Sequence, residues 1–578
     1  MPGAVILRQG RSERRFSAPV QVVTAWRPDE VIPALRAIAA AVEQSRYYAV
    51  GFISYEAAAA HGLAVHPPLP DLPLLWFGFY AGMETVDDPP VGIAPPTLTY
   101  SVGVWEPAVD AMAYATAVAR IKNYLAAGDT YQVNYTFPLQ ARFEGAARAF
   151  FDELTVCQPT EYSAFIDTGR FAICSVSPEL FFELDGERLI TRPMKGTAAR
   201  GRTLAEDQLQ IARLHQSVKN RAENLMIVDM LRNDLGRIAQ VGSVAVSRLF
   251  EIEPYPTLLQ MTSTVTARTA ASIVDILTSL FPCASITGAP KVRTMQIIRE
   301  LETQPRGVYT GAIGFIGPQR QARFNVAIRT VLIDRERRQA RYGVGGGLVW
   351  DSNTQDEYTE CLLKARVLSQ RRPSFQLLES LLWEPDSGYL LLSAHLQRLA
   401  DSAVYFNIPL DKPAIEVALN QLALHLKTAS KIRLLANQDA TFVLQTEALS
   451  RRAPAEPLRI GLARTPVDSN TVWLYHKTTR RELYEAARAS RPDCDEVILW
   501  NERGELTEAS MSNLALELCG EWVTPPVASG LLAGTFRGWL LATAQIKERI
   551  LTTADLRADR QISLINSVRR WQAAILIP

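Results

Sequence analysis

Lys195 is the residue whose surroundings narrow the chemistry of this chain most. It lies in the segment Ile190–Thr197, which reads Ile-Thr-Arg-Pro-Met-Lys-Gly-Thr. A lysine amine becomes a nucleophile when burial or a neighbouring cation lowers its pKa. Lys195 therefore indicates covalent catalysis, provided that other segments of the chain build a substrate pocket around it.

Three glutamates suggest a site for a divalent metal ion. Glu357 and Glu360 are three residues apart and Lys364 follows four residues later, so a helix would bring all three side chains to one face. Glu223 opens another predicted helix, whose remaining positions are largely apolar. Mg²⁺ prefers one or two carboxylates, completed by water and substrate oxygens. Two solvated helix faces would have the same spacing, so spacing alone does not decide.

Two backbone segments and one arginine suggest binding of carboxylate groups. The run Gly345–Gly347 follows a predicted strand and exposes N–H groups that an anion could approach closely. Thr287–Lys291 leads into a predicted helix, whose first amides also favour an anion. Arg329 could bind a carboxylate through two parallel hydrogen bonds. Tight turns and a surface ion pair explain these features equally well when each is considered alone.

The elements that must position these groups are strands and helices mixed along the chain. Alternating apolar residues predict strands over Phe171–Ser175 and Glu179–Leu184. Helical spacing predicts helices over Ala222–Leu231 and Glu357–Val367. We therefore expect an α+β architecture.

Two proline-containing stretches are candidate linkers. Gln370–Ser374 is short and polar, and a new pattern of strand, turn and helix begins at Phe375, so we expect a domain boundary near residue 371. The stretch Asp87–Pro96 has similar chemistry on both flanks and predicts a surface loop. The sequence predicts a first module made of an amino-terminal part, residues 1–110, and a main part, residues 111–370. Residues 371–578 are predicted to form a second module.

Composition excludes several classes of protein. Hydrophobic residues make up 48% of the chain and charged residues 21%, which predicts ordinary globular cores rather than disorder. Lys and Arg total 61 against 60 for Asp and Glu, so no net charge favours nucleic acid or an anionic membrane. No signal peptide, membrane span or cysteine framework is evident. We expect a cytoplasmic protein with a small-molecule partner.

Together, the motifs of the first module resemble the chorismate-utilising enzymes across most of residues 110 to 367. They occur in family order at Gly128–Asn134, Ser177–Glu179, Arg192–Thr197, Ala222–Asp234, Thr287–Lys291, Tyr309–Gly314, Asn325–Thr330 and Gly345–Lys364. The resemblance implies large antiparallel sheets with surrounding helices, and Mg²⁺ held by Glu223 and Glu360 with Glu357 in support. It also implies that the substrate is bound by Thr287, Tyr309, Arg329, Lys364 and the amides of Gly345, Gly346 and Gly347.

The residue at position 195 separates subclasses of this family. Anthranilate synthases have alanine there, whereas Pro193–Thr197 resembles the aminodeoxychorismate synthase type, which has lysine. The resemblance implies attack of the Lys195 amine at C2 of chorismate, loss of the C4 hydroxyl with Glu179 as general acid, and entry of ammonia at C4. Gln260 replaces a common histidine, and Asn220 replaces a common acidic residue. The family's histidine role therefore does not transfer, and the metal site is expected to be less negative.

A second set of residues after the junction could bind pyridoxal phosphate. This cofactor needs a lysine for its aldehyde, an acid at its ring nitrogen and a cup for its phosphate. The candidate for the aldehyde is Lys477, and the candidate for the ring nitrogen is Glu508. The phosphate cup could be formed by Arg398 and the amides near Thr535. Taken singly, each residue is also typical of a solvated surface.

The ordered set resembles the fold-type IV pyridoxal phosphate enzymes over about residues 375 to 570. Its motifs are His395–Leu399, Tyr475–Tyr484, Gly504–Asn513, Thr524–Pro526 and Gly530–Arg537. The resemblance implies a domain of two α/β subdomains, with the cofactor bound by Lys477, Glu508, Arg398, Ser512, Asn513, Thr535 and Phe536. Ser380 stands where lyases of this group often have a catalytic threonine.

The two resemblances together favour a bifunctional enzyme of 4-aminobenzoate synthesis. The first module would make 4-amino-4-deoxychorismate, and the second would release pyruvate from it. The alternatives are an anthranilate-type synthase joined to a branched-chain or D-amino acid aminotransferase, and a chain in which one module is catalytically silent. No Gly-x-Cys-x-Gly loop of a glutamine amidotransferase surrounds any cysteine. Ammonia is therefore expected from solution or from a separate glutaminase subunit, and the second module is expected to form a homodimer.

Overall fold

The structure is a computed structural model that describes residues 3–10, 12–87, 99–369, 374–449 and 456–578. The predicted loop Asp87–Pro96 and the predicted junction Gln370–Ser374 lie mostly outside the described residues. The chain divides into two compact units. The first comprises Met1–Ala199 and Ile211–Arg372, and the second comprises Arg200–Gln210 and Pro373–Pro578.

The first unit is built mainly from antiparallel strands. They are β1 (Val5–Gln9), β2 (Ser12–Phe16), β3 (Gln21–Ala25), β4 (Tyr48–Ile53), β5 (Leu75–Tyr80), β6 (Glu84–Asp87), β7 (Tyr100–Val102), β8 (Glu106–Pro107), β9 (Gln132–Gly145), β10 (Tyr162–Asp167), β11 (Phe171–Ser177), β12 (Leu180–Asp185), β13 (Arg188–Arg192), β14 (Met194–Ala199), β15 (Ala245–Pro254), β16 (Leu258–Arg268), β17 (Gly288–Ala289), β18 (Ala312–Gly317), β19 (Gln321–Val326), β20 (Thr330–Asp334) and β21 (Gln339–Leu348).

Eight α-helices accompany these strands in the described residues, and α4 starts within the segment assigned to the second unit. They are α1 (Pro28–Ser45), α2 (Ala111–Ala126), α3 (Ala147–Cys157), α4 (Leu204–Gln216), α5 (Val218–Gly236), α6 (Ile273–Leu280), α7 (Lys291–Leu301) and α8 (Thr354–Lys364). Short 3₁₀ helices cover Tyr55–His61, Ala284–Ile286 and Arg366–Leu368.

The strands of the first unit form two large sheets. Within the described ranges, one sheet has the order β17-β9-β21-β20-β11-β10-β1-β2-β6, with β7 and β8 also paired to β9. The other has the order β14-β16-β13-β12-β19-β18-β4-β5-β3, with β15 paired to β16. Each strand pair in these two sheets is antiparallel, for example β21 with β9 from Gln339↔Arg142 to Leu348↔Val133.

Three apolar layers hold this unit together. One layer lies between the sheets and contains Phe16 and Phe52 from opposite sheets. A second lies under α1, α5 and α6 and includes Leu35, and a third lies under α2, α3, α7 and α8 and includes Phe151. These three layers give the order helices, sheet, sheet, helices. Burial of each large apolar side chain contributes about 1.5–3 kcal/mol to the stability of the unit.

The second unit contains two smaller sheets. Its strands are β22 (Leu377–Glu384), β23 (Gly388–Tyr389), β24 (Ser430–Ala436), β25 (Phe442–Ala448), β26 (Leu458–Leu462), β27 (Glu496–Trp500), β28 (Leu506–Ala509), β29 (Asn513–Leu518), β30 (Glu521–Thr524), β31 (Lys547–Glu548), β32 (Ile562–Asn566) and β33 (Arg570–Leu576). Its helices are α9 (Leu392–Phe406), α10 (Lys412–Ala423), α11 (Glu482–Ser490) and α12 (Thr535–Ala542), with 3₁₀ turns at Val472–Leu474, Val527–Ser529 and Thr553–Asp555.

Each of these sheets packs against its own helices and forms a subdomain. In the described residues, the first sheet has the order β23-β22-β24-β25 and shares an apolar core with α9 and α10. The second has the order β28-β27-β26-β33-β32-β29-β30-β31 and packs against α12 through a core that includes Phe536 and Leu540. The pairs of β26 with β27 and with β33 are parallel.

These observations confirm the predicted α+β class, with large antiparallel sheets in the first unit and two α/β subdomains in the second. No helix in the described ranges is both long enough and apolar enough to cross a membrane. One predicted element differs in detail: Glu223 lies in the second turn of α5, which begins at Val218 and is capped by the Ser217 side chain.

Candidate active sites

A cavity of about 350 Å³ opens in the first unit beside β14, β21, α5 and α8. It brings together nearly all of the residues predicted from the sequence for the first reaction. The predicted residues that line it are Glu179, Lys195, Glu223, Tyr309, Arg329, Gly345, Gly346, Gly347, Glu357, Glu360 and Lys364.

The backbone around Lys195 is held from α5 and β16. The Asn224 side chain donates to the Lys195 carbonyl at 3.2 Å, and the Ser263 hydroxyl donates to Asn224 Oδ1 at 2.6 Å. Gln260 Nε2 donates to the carbonyl of Gly196 at 2.9 Å. Gln260, which replaces the family's histidine, therefore fixes the chain next to Lys195.

The Lys195 amine lies against Gly347 and Gln132. Lys195 Nζ occupies the space that a Cβ atom on residue 347 would need, and Gln132 Nε2 lies 3.0 Å from the same point. Gln132 is fully buried, and within the described residues neither Nε2 nor Oε1 has a hydrogen-bond partner. Burial lowers the pKa of Lys195, while the charge of Glu223 opposes this shift. The environment thus favours the neutral, nucleophilic amine.

Glu179 is a buried carboxyl at the end of the loop before β12. Its Oε1 accepts a hydrogen bond of 2.6 Å from the Ser285 hydroxyl. Burial raises the pKa of Glu179 to about 7, although the bond from Ser285 and the charge of Lys195 act in the opposite direction. A carboxyl with this pKa can hold a proton near neutral pH and release it to a leaving group.

Three carboxylates line the cavity from α5 and α8. The Asn353 side chain caps α8, whose Glu360 pairs with Lys364 at 2.8 Å. The charge of Lys364 lowers the pKa of Glu360, whereas burial raises the pKa of Glu357, which accepts a 2.7 Å bond from Ser352.

In the described part of the chain, no three His, Cys, Asp or Glu residues lie close enough to form a complete metal site by themselves. No hydrogen bond to the Glu223 carboxylate is found in the same part. Mg²⁺ takes only one or two of its ligands from protein carboxylates, so a cluster of three is not a requirement for that ion.

The glycine run was expected after a strand, but it lies inside β21, paired with β9. The amide of Thr136, which lies opposite Gly345, donates to Glu302 and so points away from β21. The amide of Asn134, which lies opposite Gly347, donates to the Thr287 carbonyl and also points away from β21. These are therefore the non-hydrogen-bonded pairs of the ladder, so the amides of Gly345 and Gly347 also point away from β9. The strand β20 pairs with β21 only as far as Tyr342, which leaves those two amides available at the cavity.

Arg329, just before β20, and Lys364, the last residue of α8, both line the cavity. Arg329 Nη1 donates to the Lys364 carbonyl at 2.9 Å, and Lys364 Nζ donates to the Gly345 carbonyl at 2.9 Å. The ring of Tyr309 covers Gly343, where a Cβ atom would overlap it, and burial raises the pKa of the Tyr309 hydroxyl. Two cations and a neutral phenol thus surround the part of the cavity beside β21.

Thr287 is not among the residues that line the cavity, which is reached by Ser285 and Ile286 instead. Its hydroxyl donates to the carbonyls of Cys283 and Ala284 within its own turn. Lys291, at the start of α7, pairs with Asp234 at 2.9 Å. The second anion cradle expected from Thr287–Lys291 is therefore not formed at the cavity, because these residues hold the local backbone.

In the second unit, Lys477 and Glu508 form the core of another site. Burial, together with the charge of Arg398, lowers the pKa of Lys477 to about 8. Burial raises the pKa of Glu508 to about 7, and the carboxyl accepts bonds from the Tyr484 hydroxyl at 2.8 Å and from the Leu532 amide at 3.2 Å. A buried carboxyl with only neutral donors directly bonded to it suits a protonated ring nitrogen.

Arg398 is fixed by the carboxylate of Glu379, which none of the sequence motifs indicated. Its guanidinium binds Glu379 through two hydrogen bonds of 2.8 and 2.7 Å, and it also donates to the carbonyl of Ala533. His395 bonds Glu379 at 2.7 Å and the Thr535 hydroxyl at 3.1 Å. Burial alone would raise the pKa of Glu379, but the charge of Arg398 holds it well below its ordinary value. The start of α12 and Arg398 are thus linked into one potential phosphate cup.

The remaining predicted cofactor residues have different surroundings. Asn513 Nδ2 donates to Glu508 at 3.2 Å and to the Leu532 carbonyl at 2.9 Å, so it supports the acid. Ser512 Oγ accepts from Asn566 at 2.9 Å. The Phe536 side chain lies in the core against Trp539, so only its backbone amide is available to a phosphate.

Four residues of these sites were not singled out from the sequence: Gln132, Asn224, Ser285 and Glu379. A signal existed for two of them. Glu379 is the one charged residue in the run Leu377–Leu382, and Asn224 interrupts the helical motif next to Glu223. Gln132 and Ser285 are ordinary polar residues whose burial follows only from the packing of both sheets.

Both units of the chain are similar to known protein families. The aminodeoxychorismate synthase component 1 of Salmonella typhimurium is 42% identical over 46% of this chain and 58% of its own length. The Escherichia coli enzyme of that name is 40% identical over 46% of this chain and 59% of its own length. The chain thus matches about three fifths of the length of these relatives.

The anthranilate synthase component I structure from Streptococcus pneumoniae shares the fold, with a TM-score of 0.55 and 24% identity over 64% of this chain and 93% of that one. Residues 376–577 match the class IV amino-transferase family, which implies pyridoxal phosphate as the cofactor of the second unit. Residues 4–370, more than half of the sequence, match the family model, so the chain belongs to the chorismate binding enzymes.

Proposed function

We propose that the first unit aminates chorismate to 4-amino-4-deoxychorismate and that the second unit converts this product to 4-aminobenzoate and pyruvate. The observation that carries the proposal is the position of Lys195, a lysine with a lowered pKa in a cavity that also contains Glu179, a carboxyl with a raised pKa, and the side chains of Arg329 and Lys364. The domain assignment is residues 1–110 and 111–370 for the synthase and 371–578 for the lyase.

In the first reaction, the neutral Lys195 amine adds to C2 of chorismate. Glu179 gives its proton to the C4 hydroxyl, which leaves as water while the ring double bonds shift. Ammonia then bonds to C4 and the C2–Nζ bond breaks, which returns the amine of Lys195. The net change is chorismate plus ammonia to 4-amino-4-deoxychorismate plus water.

Arg329, Lys364 and the amides of Gly345 and Gly347 are proposed to bind the two substrate carboxylates. Arg329 and Lys364 supply charge, and the amides supply directed donors on a rigid strand. Burial raises the pKa of Tyr309, so its hydroxyl is neutral at physiological pH and can donate a hydrogen bond to a substrate carboxylate. Mg²⁺ would be held by Glu223 and Glu360, with Glu357 in support, and would offset the charge of a substrate carboxylate.

In the second reaction, pyridoxal phosphate would supply an electron sink for the bonds made and broken at the substrate amine. Lys477 would bind the cofactor and then, as a free amine with a pKa near 8, take the proton from C4 of the substrate. Glu508 would hold the proton at the ring nitrogen, and Arg398 with the amides of Thr535 and Phe536 would bind the phosphate. Ser380 is proposed to take the place of the lyase threonine. Loss of the enolpyruvyl group makes the ring aromatic, which drives the reaction.

The proposal includes partners. The sequence contains no glutaminase nucleophile loop, so ammonia would come from solution or from a separate glutamine amidotransferase subunit. We also propose a homodimer through the second unit and a cytoplasmic location, both carried over from the resemblance to fold-type IV enzymes and from the scattered cysteines.

The test is an assay of the purified chain with chorismate, ammonium, Mg²⁺ and pyridoxal phosphate. The expected product is 4-aminobenzoate, with no turnover of chorismate after removal of Mg²⁺ by a chelator. Glutamine should replace ammonium only when a glutaminase subunit is added. Formation of no 4-aminobenzoate under any of these conditions would reject the proposed function.

The alternative of an anthranilate-type synthase fused to an aminotransferase predicts different products. It would give anthranilate from chorismate and an α-keto acid from an amino acid. Lys195 argues against it, because this subclass has alanine at that position. The burial of Lys477 and Glu508 argues against a second unit without catalytic activity, because burying two ionisable groups that have no function would cost stability.

A further inference from the structure

Eleven residues that follow Lys195 closely in the chain belong to the second unit. The segment Arg200–Gln210 groups with residues 373–578, although residues on both sides of it belong to the first unit. Its contacts within the second unit are made to the stretch Ser469–His476, which leads directly to Lys477, and to Tyr405 at the end of α9.

Arg202 binds both of the residues that precede Lys477. Its guanidinium donates to the Tyr475 hydroxyl at 2.8 Å and lies 4.9 Å from the centre of the Tyr475 ring. Its backbone carbonyl lies 3.1 Å from His476 Nε2. The Tyr475 hydroxyl in turn donates to the Ser469 carbonyl at 2.7 Å. A single residue, Arg202, therefore bonds to each of the two residues that precede the lysine.

The bonds to His476 define its protonation. A carbonyl oxygen only accepts, so Nε2 carries the hydrogen and donates to Arg202, and Nδ1 accepts from the Ser402 hydroxyl at 2.9 Å. Burial lowers the pKa of His476 to about 4, so the ring is neutral at physiological pH. Its ring also packs on Tyr405, with 4.3 Å between centroids.

The segment is itself anchored to the second unit. Arg200 forms a buried ion pair with Asp207 and donates to the Tyr405 carbonyl at 2.8 Å. The Tyr405 hydroxyl donates to the Gly201 carbonyl at 2.7 Å. On the other side of the lysine, the Leu378 amide donates to the Lys477 carbonyl at 2.9 Å. The carbonyl of Lys477 is therefore held by β22, and the two residues that precede Lys477 are bonded to Arg202.

We propose that Arg202 is a positioning residue for Lys477 and that residues 200–210 complete the cofactor module, although they lie within the sequence of the synthase module. The inference rests on the proposed function of the second unit. Without the Arg202 side chain, the Tyr475 hydroxyl would lose a hydrogen-bond donor and the Tyr475 ring would lose the guanidinium packed on it. The amine of Lys477 would then be presented to the cofactor in a broader range of positions.

The test uses the full-length apo chain and a titration with pyridoxal phosphate, followed by visible absorbance. Arg202→Met keeps much of the side-chain volume but removes the donor, and we expect about tenfold weaker cofactor binding. Hydrogen exchange of residues 472–479 should become faster. Arg464→Met, at an exposed arginine of the same unit, should match the wild type in both measurements. Arg202→Lys retains a donor and should recover most of the affinity.

Tyr475→Phe removes only the hydroxyl that Arg202 binds and provides a milder variant, with an expected loss of about threefold. Unchanged affinity and unchanged exchange in Arg202→Met would overturn the inference, as would a variant that lowers only the unfolding temperature. Neither readout needs turnover. A chain that makes no 4-aminobenzoate but shows the Arg202→Met difference would reject the proposed function alone.

Discussion

The Lys195 amine fills the space beside the α-carbon of Gly347 that a side chain would occupy. The glycine at this position of β21 is therefore a steric requirement of the lysine site, in addition to exposing an amide. Gly347→Ala should displace the amine and reduce amination about a hundredfold, since a shift of about 1 Å in a reacting group has this effect.

The control for that variant is Gly236→Ala, where a Cβ atom would meet nothing within 4 Å. It should leave amination unchanged, and both variants should bind pyridoxal phosphate normally. Steady-state rates with chorismate and ammonium provide the measurement. Full amination by Gly347→Ala would mean that Lys195 does not use the position described here.

Glu179 predicts a specific pH dependence of amination. Its pKa is raised to about 7, so the carboxyl is protonated below that pH and loses its proton above it. A general acid with this pKa gives a rate that falls as pH rises through about 7. Glu179→Gln should lower kcat by about 10²–10⁴-fold and abolish this alkaline limb. A wild-type profile that stays flat from pH 6 to 9 would contradict the assignment.

Substitution of Gln132 should affect amination without lowering the stability of the fold. Its buried amide lacks hydrogen-bond partners among the described residues, so replacement by an apolar residue of similar size should not destabilise the fold. We expect Gln132→Leu to lower amination because the amine of Lys195 loses a polar neighbour, while the free energy of unfolding stays equal or rises by about 1 kcal/mol. Gln321→Leu, at an exposed glutamine, is the control. Equal amination in the two variants would show that Gln132 has no part in the reaction.

The Glu379 carboxylate should stabilise the second unit in a pH-dependent way. Its folded pKa lies below the ordinary value of 4.5, so its contribution is fully present above pH 4.5 and is lost as pH falls toward the folded pKa. Glu379→Gln leaves Arg398 without its buried partner and should cost about 3–5 kcal/mol at neutral pH. Denaturant unfolding of the second unit gives this difference, which should shrink in acid. Glu447→Gln, in the exposed pair with Lys431, should cost less than about 1 kcal/mol.

The sequence predicted the composition of both sites better than their geometry. The motifs indicated Lys195, Glu179 and the carboxylates of α5 and α8, and in the structure these side chains line one cavity, because side-chain type and helical spacing decide which groups can share a face. It did not predict that Gly345–Gly347 lies within a strand, since a glycine run is equally typical of a loop. The expected cradle at Thr287–Lys291 failed because those residues bind the backbone and Asp234 instead.

The residues that sequence reasoning missed depend on long-range packing. Gln132 reaches Lys195 only because β9 and β21 pair and β14 lies nearby in space. The segment Arg200–Gln210 continues the synthase motifs in the sequence, and nothing in its composition indicates that it packs with the second unit. Its contacts depend on side chains about 200 to 270 positions away, such as Tyr405 and Tyr475.

The most direct test of the separate roles proposed for Lys195 and Lys477 is product analysis of Lys477→Ala by mass spectrometry, with chorismate, ammonium and Mg²⁺ supplied. We expect 4-amino-4-deoxychorismate to accumulate at the wild-type rate of chorismate consumption and no 4-aminobenzoate to form. Release of anthranilate, or of 4-aminobenzoate at an undiminished rate, would contradict it.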